Sequence, residues 1–397
     1  MSNRLDRARI LQLSGQLFVL RELHAGRIAT RADLTRRYGM SRGSASELTG
    51  RLQEAELLDE RPAEPNGRRG RPGSVLGPHP NGPVVCAVDI GHEAWTVALV
   101  ALGGGVVDRR QGRTTDRRAS AVLASAARAA GQLVRANPGR LAAVSIAMAG
   151  TVSGLRIIQA STLRWRDVDV ARYFGKLGCP VLLGNDATLA GVAEARRGAA
   201  TGARVSLQLT VEVGIGGVLI VDGKPQVGAT GAGGEFGHLP FGDPTRRCPC
   251  GARGCWDVEV DGRALARILG RRRPADPRTL ADRIIADARG GDPTALDAVT
   301  RIAVALGRGT GGLVNALDPE LVTLAGLGVE LLDVAGSALR REYLRALMAF
   351  RRRDPPPLVA STTPRPASLV GAAEVGFDEL LTEPGLHRFL SAASYPE

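Results

Sequence analysis

Three of the five cysteines in this 397-residue sequence stand within eight residues, at Cys248, Cys250 and Cys255. One of its five histidines, His238, stands ten positions before the first of them. Thiolates and a neutral imidazole suit a borderline-soft divalent cation, and three sulfurs with one nitrogen complete a closed tetrahedral zinc site. A closed set leaves no position for an activated water, so the Zn2+ expected here is structural. Pro249, Gly251 and Gly254 alternate with the ligands, and the glycines let the loop turn tightly around an ion. Cys86 and Cys179 sit in apolar strand contexts and read as core residues.

The bulk numbers set the compartment and partners. The first ten residues, MSNRLDRARI, lack an apolar export core, and no apolar run reaches the ~18 residues of a membrane helix. The expectation is a cytoplasmic protein without a membrane partner, where clustered cysteines serve metals rather than disulfides. Net charge is +12, but with two lysines among 52 basic residues the excess is largely an arginine bias of the kind a GC-rich coding sequence produces. Its distribution says more than its total. Residues 1–77 hold 14 arginines against 9 acids, and the stretch PNGRRGRPGSVLG has three arginines and no acid.

The elements of that first segment have a pattern. Ile10, Leu13, Leu17, Leu20 and Leu23 fall at helical spacing. RADLTRRYG reads as a second helix capped by Thr30 and ended by Gly39. A third starts at Ser41 with Leu48, Leu52 and Ala55 as its buried stripe. Two helices joined by a tight turn make a helix-turn-helix, and LLDERPAEPNGRRGRPGSVL then reads as a β wing. Such a unit presents the start of its second helix to base edges, here Ser41, Arg42, Ser44 and Ser46. Arg42 can pair bidentately with guanine, and Arg68, Arg69 and Arg71 on the wing suit phosphates or a narrow minor groove. The expected partner is operator DNA. Pro78 and Pro80 mark a boundary, so residues 1–77 form the predicted winged helix-turn-helix domain.

Beyond it the pattern turns α/β. Strand, turn at Gly91, strand, a third strand, an Ala-rich helix near 118–136 and the strand LAAVSIAMAG resemble the ribonuclease-H-like lobe of actin-type sugar kinases. The segments VDIGHEAW, AMAGTVSG, ASTLRW, LLGNDATLAGVAEARRG, VGIGGVLIVDGKP, GAGGEFGHL, CPCGARGC and LVNALDPELVTLAGLG follow in the order of the ROK family, which groups sugar-responsive repressors with bacterial sugar kinases. The resemblance implies an actin-like two-lobed sugar-kinase fold over residues 78–397. One lobe would span roughly 78–195 plus a C-terminal return, the other 196–370. It implies a structural zinc on the His and three Cys, and a carbohydrate effector between the lobes held by Asn185, Asp186, Glu235 and His238. Asp186 would be the general base if the chain were a kinase. Two positions depart from the family pattern: Thr162 stands for a ligand-binding Asn, and Asp257 for a Glu, with Glu259 near enough to substitute. The resemblance also implies a homodimer or homotetramer. The apolar helix around 295–316 suits either the core or a subunit contact.

ATP-using members carry DIGGTK at the first strand turn and GTGIGGG at the second phosphate loop. Here these read Asp89-Ile90-Gly91-His92-Glu93 and Glu212-Val213-Gly214-Ile215-Gly216-Gly217-Val218. Each loses backbone or side-chain donors and gains a carboxylate, and Leu327 replaces a glycine on the adenosine side. A carboxylate ~4 Å from a phosphate charge costs about 1 kcal/mol in water and ~4 at an effective dielectric near 20. The expectation is a sugar-responsive repressor with a degenerate ATP site and no enzymatic activity. The alternative is an ATP-dependent, glucokinase-like sugar kinase with a fused DNA-binding head.

Overall fold

The first helix, α1 (Ser2–His24), buries Leu17, Leu20 and Leu23 as their spacing predicts. The structure, a computed structural model, describes residues 2–62, 74–160 and 163–393, with side chains from Leu13 to Ala392. A capping box starts α2 (Arg31–Tyr38): Thr30 accepts from the Asp33 amide, and the Asp33 carboxylate accepts from the Thr30 amide at 2.9 Å. Gly39 ends it at φ 67°, a left-handed cap that glycine takes without strain. Ser41 then caps α3 (Arg42–Glu54), accepting from Ser44 N at 3.0 Å. The buried face of α3 is Ala45, Thr49 and Leu52, while Leu48 and Ala55 are half-buried, so the predicted stripe is partly displaced. The Thr49 hydroxyl donates to Ala45 O at 2.8 Å, which lets a polar residue hold a core position. The hairpin β1 (Leu58–Pro62) and β2 (Ser74–Pro78) pairs antiparallel from Leu58↔Pro78 to Pro62↔Ser74. Its tip, with Arg68, Arg69 and Arg71, lies outside the described residues.

The chain divides into two units, Met1–Gly184 with Ala372–Glu397, and Asn185–Gly371. After the hairpin, the first unit runs through β3 (Val84–Ile90), β4 (Ala94–Ala101), β5 (Val106–Arg113), α4 (Ala119–Ala136) and β6 (Leu141–Met148). Then come β7 (Thr151–Ser153), β8 (Arg156–Ala160), β9 (Trp165–Asp169), the single turn α5 (Ala171–Phe174) and β10 (Val181–Asn185). The main sheet has the order β10-β6-β3-β4-β5, and β7-β8-β9 form a smaller antiparallel one. β3 is buried along nearly its whole length, and α4 lays Val122, Leu123, Ala126, Ala130 and Leu133 into the same core. Cys86 belongs to it, and burial pushes its thiol up to about 12; Cys179 is half-buried at its margin.

The second unit contains α6 (Asp186–Arg197), β11 (Val205–Glu212), β12 (Gly214–Val221), β13 (Lys224–Pro225), α7 (Gly262–Ile268), α8 (Pro277–Arg289) and α9 (Pro293–Leu317). It continues with β14 (Leu321–Gly326), α10 (Leu327–Val334), α11 (Gly336–Ala346) and β15 (Leu358–Ala360). Its sheet, β13-β12-β11-β14-β15, again joins an antiparallel side to a parallel one across a central strand. The helices α12 (Ala367–Leu380) and α13 (Glu383–Ala393) lead back to the first unit. There Glu374 of α12 bonds buried His24 of α1 at 3.1 Å, while Gly103 N donates to His24 Nδ1 at 3.0 Å. Nδ1 is therefore the acceptor, and Nε2 carries the proton given to Glu374.

The apolar helix near 295–316 is α9, and it is a core element: Ile302, Leu306, Leu313 and Val314 are all buried. Its glycines are contacts. A Cβ on Gly307 would meet the Leu339 carbonyl of α11 at 2.2 Å, and one on Gly309 would meet the Trp256 ring at 2.2 Å. Replacing Gly307 by Ala should therefore lower the denaturant midpoint. Overpacking of ~1–3 kcal/mol outweighs the ~1 kcal/mol of helix propensity gained. Gly50, inside α3 with nothing within 4 Å of its would-be Cβ, is the control; Gly50→Ala should raise the midpoint.

Candidate metal centre and ligand site

His238 and the three cysteines come together on one loop of the second unit, with a ligand atom from each lying within 4.8 Å of the others. His238 Nδ1 is 3.8 Å from Cys248 Sγ, and Cys250 Sγ is 3.7 Å from Cys255 Sγ. Four bonds of ~2.3 Å in a tetrahedron put sulfurs ~3.8 Å apart, so the donor set fits a Zn2+-sized ion in both chemistry and spacing. The knuckle is built from backbone bonds: Cys248 N to Ala252 O at 2.9 Å, Gly251 N to Cys248 O at 3.0 Å and Gly254 N to Arg246 O at 2.9 Å. Gly251 and Gly254 sit at φ 101° and 72°, conformations that the turn requires of glycine. Cys248 and Cys255 are buried, and Cys250 and His238 are exposed. Burial pushes the Cys255 thiol up to about 12, so a cation must displace its proton to bind.

The other ring nitrogen of His238, Nε2, lies 3.7 Å from Glu235 Oε2. A ligand held by Nδ1 therefore leaves Nε2 and the exposed Glu235 carboxylate side by side as donor and acceptor, the pairing that neighbouring sugar hydroxyls require. Asn185 caps α6, its side-chain oxygen accepting from Thr188 N at 3.0 Å, and Asp186 is the first residue of that helix. Asp257 is engaged elsewhere. Its Oδ1 accepts from Ile215 N at 2.8 Å and its Oδ2 from Arg263 at 2.9 Å. Arg263 also holds the fully buried Asp261, which caps α7. Glu259 is likewise committed, to Asp243 N, Arg246 and Arg267. Thr162 lies outside the described residues.

The two altered phosphate loops differ from the sequence expectation in one respect. Glu212 is not a bare anion, because Arg278 of α8 donates to it at 2.7 Å. The same guanidinium reaches Glu330 at 2.7 Å and Asp282 at 2.8 Å. Three carboxylates share Arg278, with Arg365 the further cation near Glu212; although the Glu212 side chain is about half exposed, loss of water around its carboxyl holds it above its ordinary value against the pull of both arginines. The spacing of the residues gave no hint of this network, since Glu212 and Arg278 lie 66 positions apart. In the first unit, Glu93 is exposed in the turn after β3, which Gly91 N closes on Ala94 O at 2.9 Å. Leu327, at the start of α10, is fully buried in the core.

Two five-stranded mixed sheets in two units, following a helix-turn-helix and a hairpin, define an actin-like, ribonuclease-H-like α/β sugar-kinase fold with an α+β winged-helix head. Residues 85–377 match the sequence model of the ROK family, and the chain belongs to that family. A glucokinase of Streptomyces coelicolor is 30% identical over 253 residues, 59% of this chain and 80% of the relative. A putative xylose repressor of a Caldicellulosiruptor species is 24% identical over 359 residues, 85% of this chain and 90% of its own length. Among solved structures, a ROK family transcriptional regulator described as a homologue of the E. coli MLC protein has the same fold. Its TM-score is 0.75 at 23% identity, covering 96% of this chain and 99% of its own. No helix among the described residues is long and apolar enough to cross a membrane.

Proposed function

We propose that this chain is a sugar-responsive transcriptional repressor of the cytoplasm, acting as a homodimer or homotetramer on operator DNA. Residues 1–77 are its DNA-reading domain and residues 78–397 its sensor. The observation that carries the reading is the start of α3: Ser41, Arg42, Ser44 and Ser46 are all exposed there, and Arg42 has no ion-pair partner among the described residues. The arginines of the wing, Arg68, Arg69 and Arg71, would add phosphate contacts that position the head without reading sequence. Similarity to a putative xylose repressor over 85% of the chain supports the same reading.

The effector is a carbohydrate held by Asn185, Asp186, Glu235 and His238; Asp257 is not among its ligands, since both its oxygens are already bonded to Ile215 N and Arg263. A structural Zn2+ on His238, Cys248, Cys250 and Cys255 holds the loop that presents Glu235. Sugar relieves repression by binding one arrangement of the DNA-reading heads better than the other. Electrophoretic shift of the gene's own upstream DNA tests the proposal. The parent should shift a promoter fragment, and sugar should release it. Arg42→Ala, which removes a bidentate base contact of ~1–3 kcal/mol, should weaken the shift about tenfold or more. No shift on any promoter-proximal fragment at moderate salt would overturn the DNA reading.

A kinase reading competes because the Asn185-Asp186 pair is kept at the start of α6 and because a relative at 30% identity is a glucokinase. Against it stand the acidic cluster at Glu212 and the loss of the phosphate-donor residues around Gly91 and Gly214. Incubation with sugars and labelled ATP decides: no phosphorylated sugar is expected, and its appearance would establish the enzyme.

A further inference from the structure

The first unit has a cavity of about 510 Å³ whose charged lining is Arg117, Arg118, Arg164, Arg166 and Asp116. Four guanidinium groups face one carboxylate. Arg118 is spent on Asp116, with bonds of 2.6 and 2.9 Å. Arg117, Arg164 and Arg166 are exposed and have no carboxylate partner among the described residues. The neighbouring hollow provides the contrast. It is lined by Arg118, Arg156 and Arg172 with Asp167 and Asp169, and Arg156 is bonded to Asp167 at 2.6 Å. That hollow largely neutralises itself, and the first does not.

The local build aims the three arginines at one place. Trp165 is buried, and its indole nitrogen donates to Arg117 O at 2.7 Å, which pins the segment before α4 against β9. Arg166 follows the buried Trp165 on β9, so it leaves the opposite face of the strand, and Arg164, in the turn just before β9, lines the same hollow. Arg164 sits at φ 59°, in the left-handed region. For a residue with a Cβ this costs about 1 kcal/mol that a glycine would not incur. The chain thus bears backbone strain to place, on a cavity wall, a guanidinium with no carboxylate partner among the described residues.

We propose that this cavity binds the phosphomonoester dianion of a small ligand through Arg164, Arg166 and Arg117. Guanidinium forks match the terminal oxygens of a phosphate bidentately, and three unpaired cations suit a dianion better than a single carboxylate. The hollow is open to solvent and has room for more than a phosphate, so a body attached to the anion can extend from it. Two sources share this chemistry, inorganic phosphate and a phosphorylated sugar. The inference does not rest on the DNA or carbohydrate readings above.

Calorimetric titration of the full-length chain with inorganic phosphate and with glucose 6-phosphate, at ~0.1 M salt so that nonspecific attraction between exposed charges is screened, tests it. At least one should bind the parent. Arg164→Gly should weaken that binding about tenfold or more, the loss of one charge-assisted fork. Its thermal midpoint without ligand should be equal to or above the parent's, because glycine relieves the left-handed strain. A structural role for Arg164 predicts the opposite, a lowered midpoint. Arg166→Gln, on regular strand backbone, should weaken binding as well. Tighter binding of glucose 6-phosphate than of phosphate, lost in Arg164→Gly while binding of unphosphorylated glucose is unchanged, assigns a phosphorylated sugar, and equal binding assigns free phosphate. The proposal fails if neither anion binds the parent, or if both variants bind as the parent does. Because no DNA is used, that failure leaves the regulator reading untouched, and an absent DNA shift leaves this one untouched.

Discussion

Replacing Glu194 with alanine should lower the thermal midpoint by about 10 °C, corresponding to ~3–5 kcal/mol for a unit of this size. Glu194 is 1% exposed on α6 and carries a carboxylate with five donors. The Ser361 and Thr363 hydroxyls donate at 2.5 Å each, and the backbone N–H groups of Ala199, Thr362 and Thr363 at 2.6, 3.1 and 3.2 Å. An alanine leaves all five unsatisfied in a site that water fills poorly. Glutamine keeps the shape but turns an NH2 donor toward other donors, so Glu194→Gln should fall between alanine and the parent. The carboxylate ties the end of α6 to the segment after β15. α6 begins at Asn185 and Asp186, so the far end of the candidate ligand site's helix is held by this one group. A midpoint within about 2 °C of the parent for the alanine variant would show that the loops close without it.

The same carboxylate makes stability depend on pH. Burial raises its pKa, but the hydroxyls of Ser361 and Thr363 and the backbone donors outweigh burial and leave it below its ordinary value of 4.5. A group depressed in the folded state stabilises fully above the unfolded titration and loses that contribution as pH falls through the folded value. The parent's midpoint should therefore drop more steeply than that of Glu194→Gln between about pH 5 and pH 3, and the two curves should converge at the acid end.

How far such features can be read from a sequence depends on how local they are. The Thr30 cap of α2, the Gly39 cap, Ser41 at the start of α3 and the His-and-Cys knuckle are each written within a few to about twenty residues, and all appear as expected. The strand-turn-strand pattern from Val84 to Ala101 is equally local, because two continuous apolar runs broken at Gly91 need no distant partner to be recognised. Glu194 is different. Its role depends on Ser361 and Thr363, which lie 167 and 169 positions away, and nothing near it distinguishes it from a solvated helix residue. Arg278 neutralises part of Glu212 for the same reason unseen. The engagement of both Asp257 oxygens depends on a backbone amide at Ile215 that no spacing rule marks. The positive φ of Arg164 was hidden because its side chain gives no sign of left-handed backbone, where glycine would.

Removing the metal should have an effect of similar size, and through a traceable route. Purified parent should contain about one zinc per chain, and Cys255→Ser should lose most of it, with a midpoint lower by about 10 °C or more. Cys255 is fully buried, and the next residue, Trp256, is anchored twice: its amide donates to Leu239 O at 2.9 Å and its indole to Ala305 O at 3.0 Å. Leu239 follows His238. The cluster thus closes a clamp between two loop strands, 235–239 and 248–256, whose base is the Trp256 ring lying against Gly309 of α9. Without a cation, buried thiols and one imidazole replace four metal bonds, and the clamp has only hydrogen bonds to hold Glu235 beside His238. Chelation of the parent should reproduce the variant's midpoint, and added zinc should restore the parent but not the variant. That comparison separates loss of the ion from loss of side-chain packing. Cys179→Ser, outside the cluster, should keep its zinc. Unchanged zinc in Cys255→Ser, or a parent that holds no metal when purified without chelator, would refute the site.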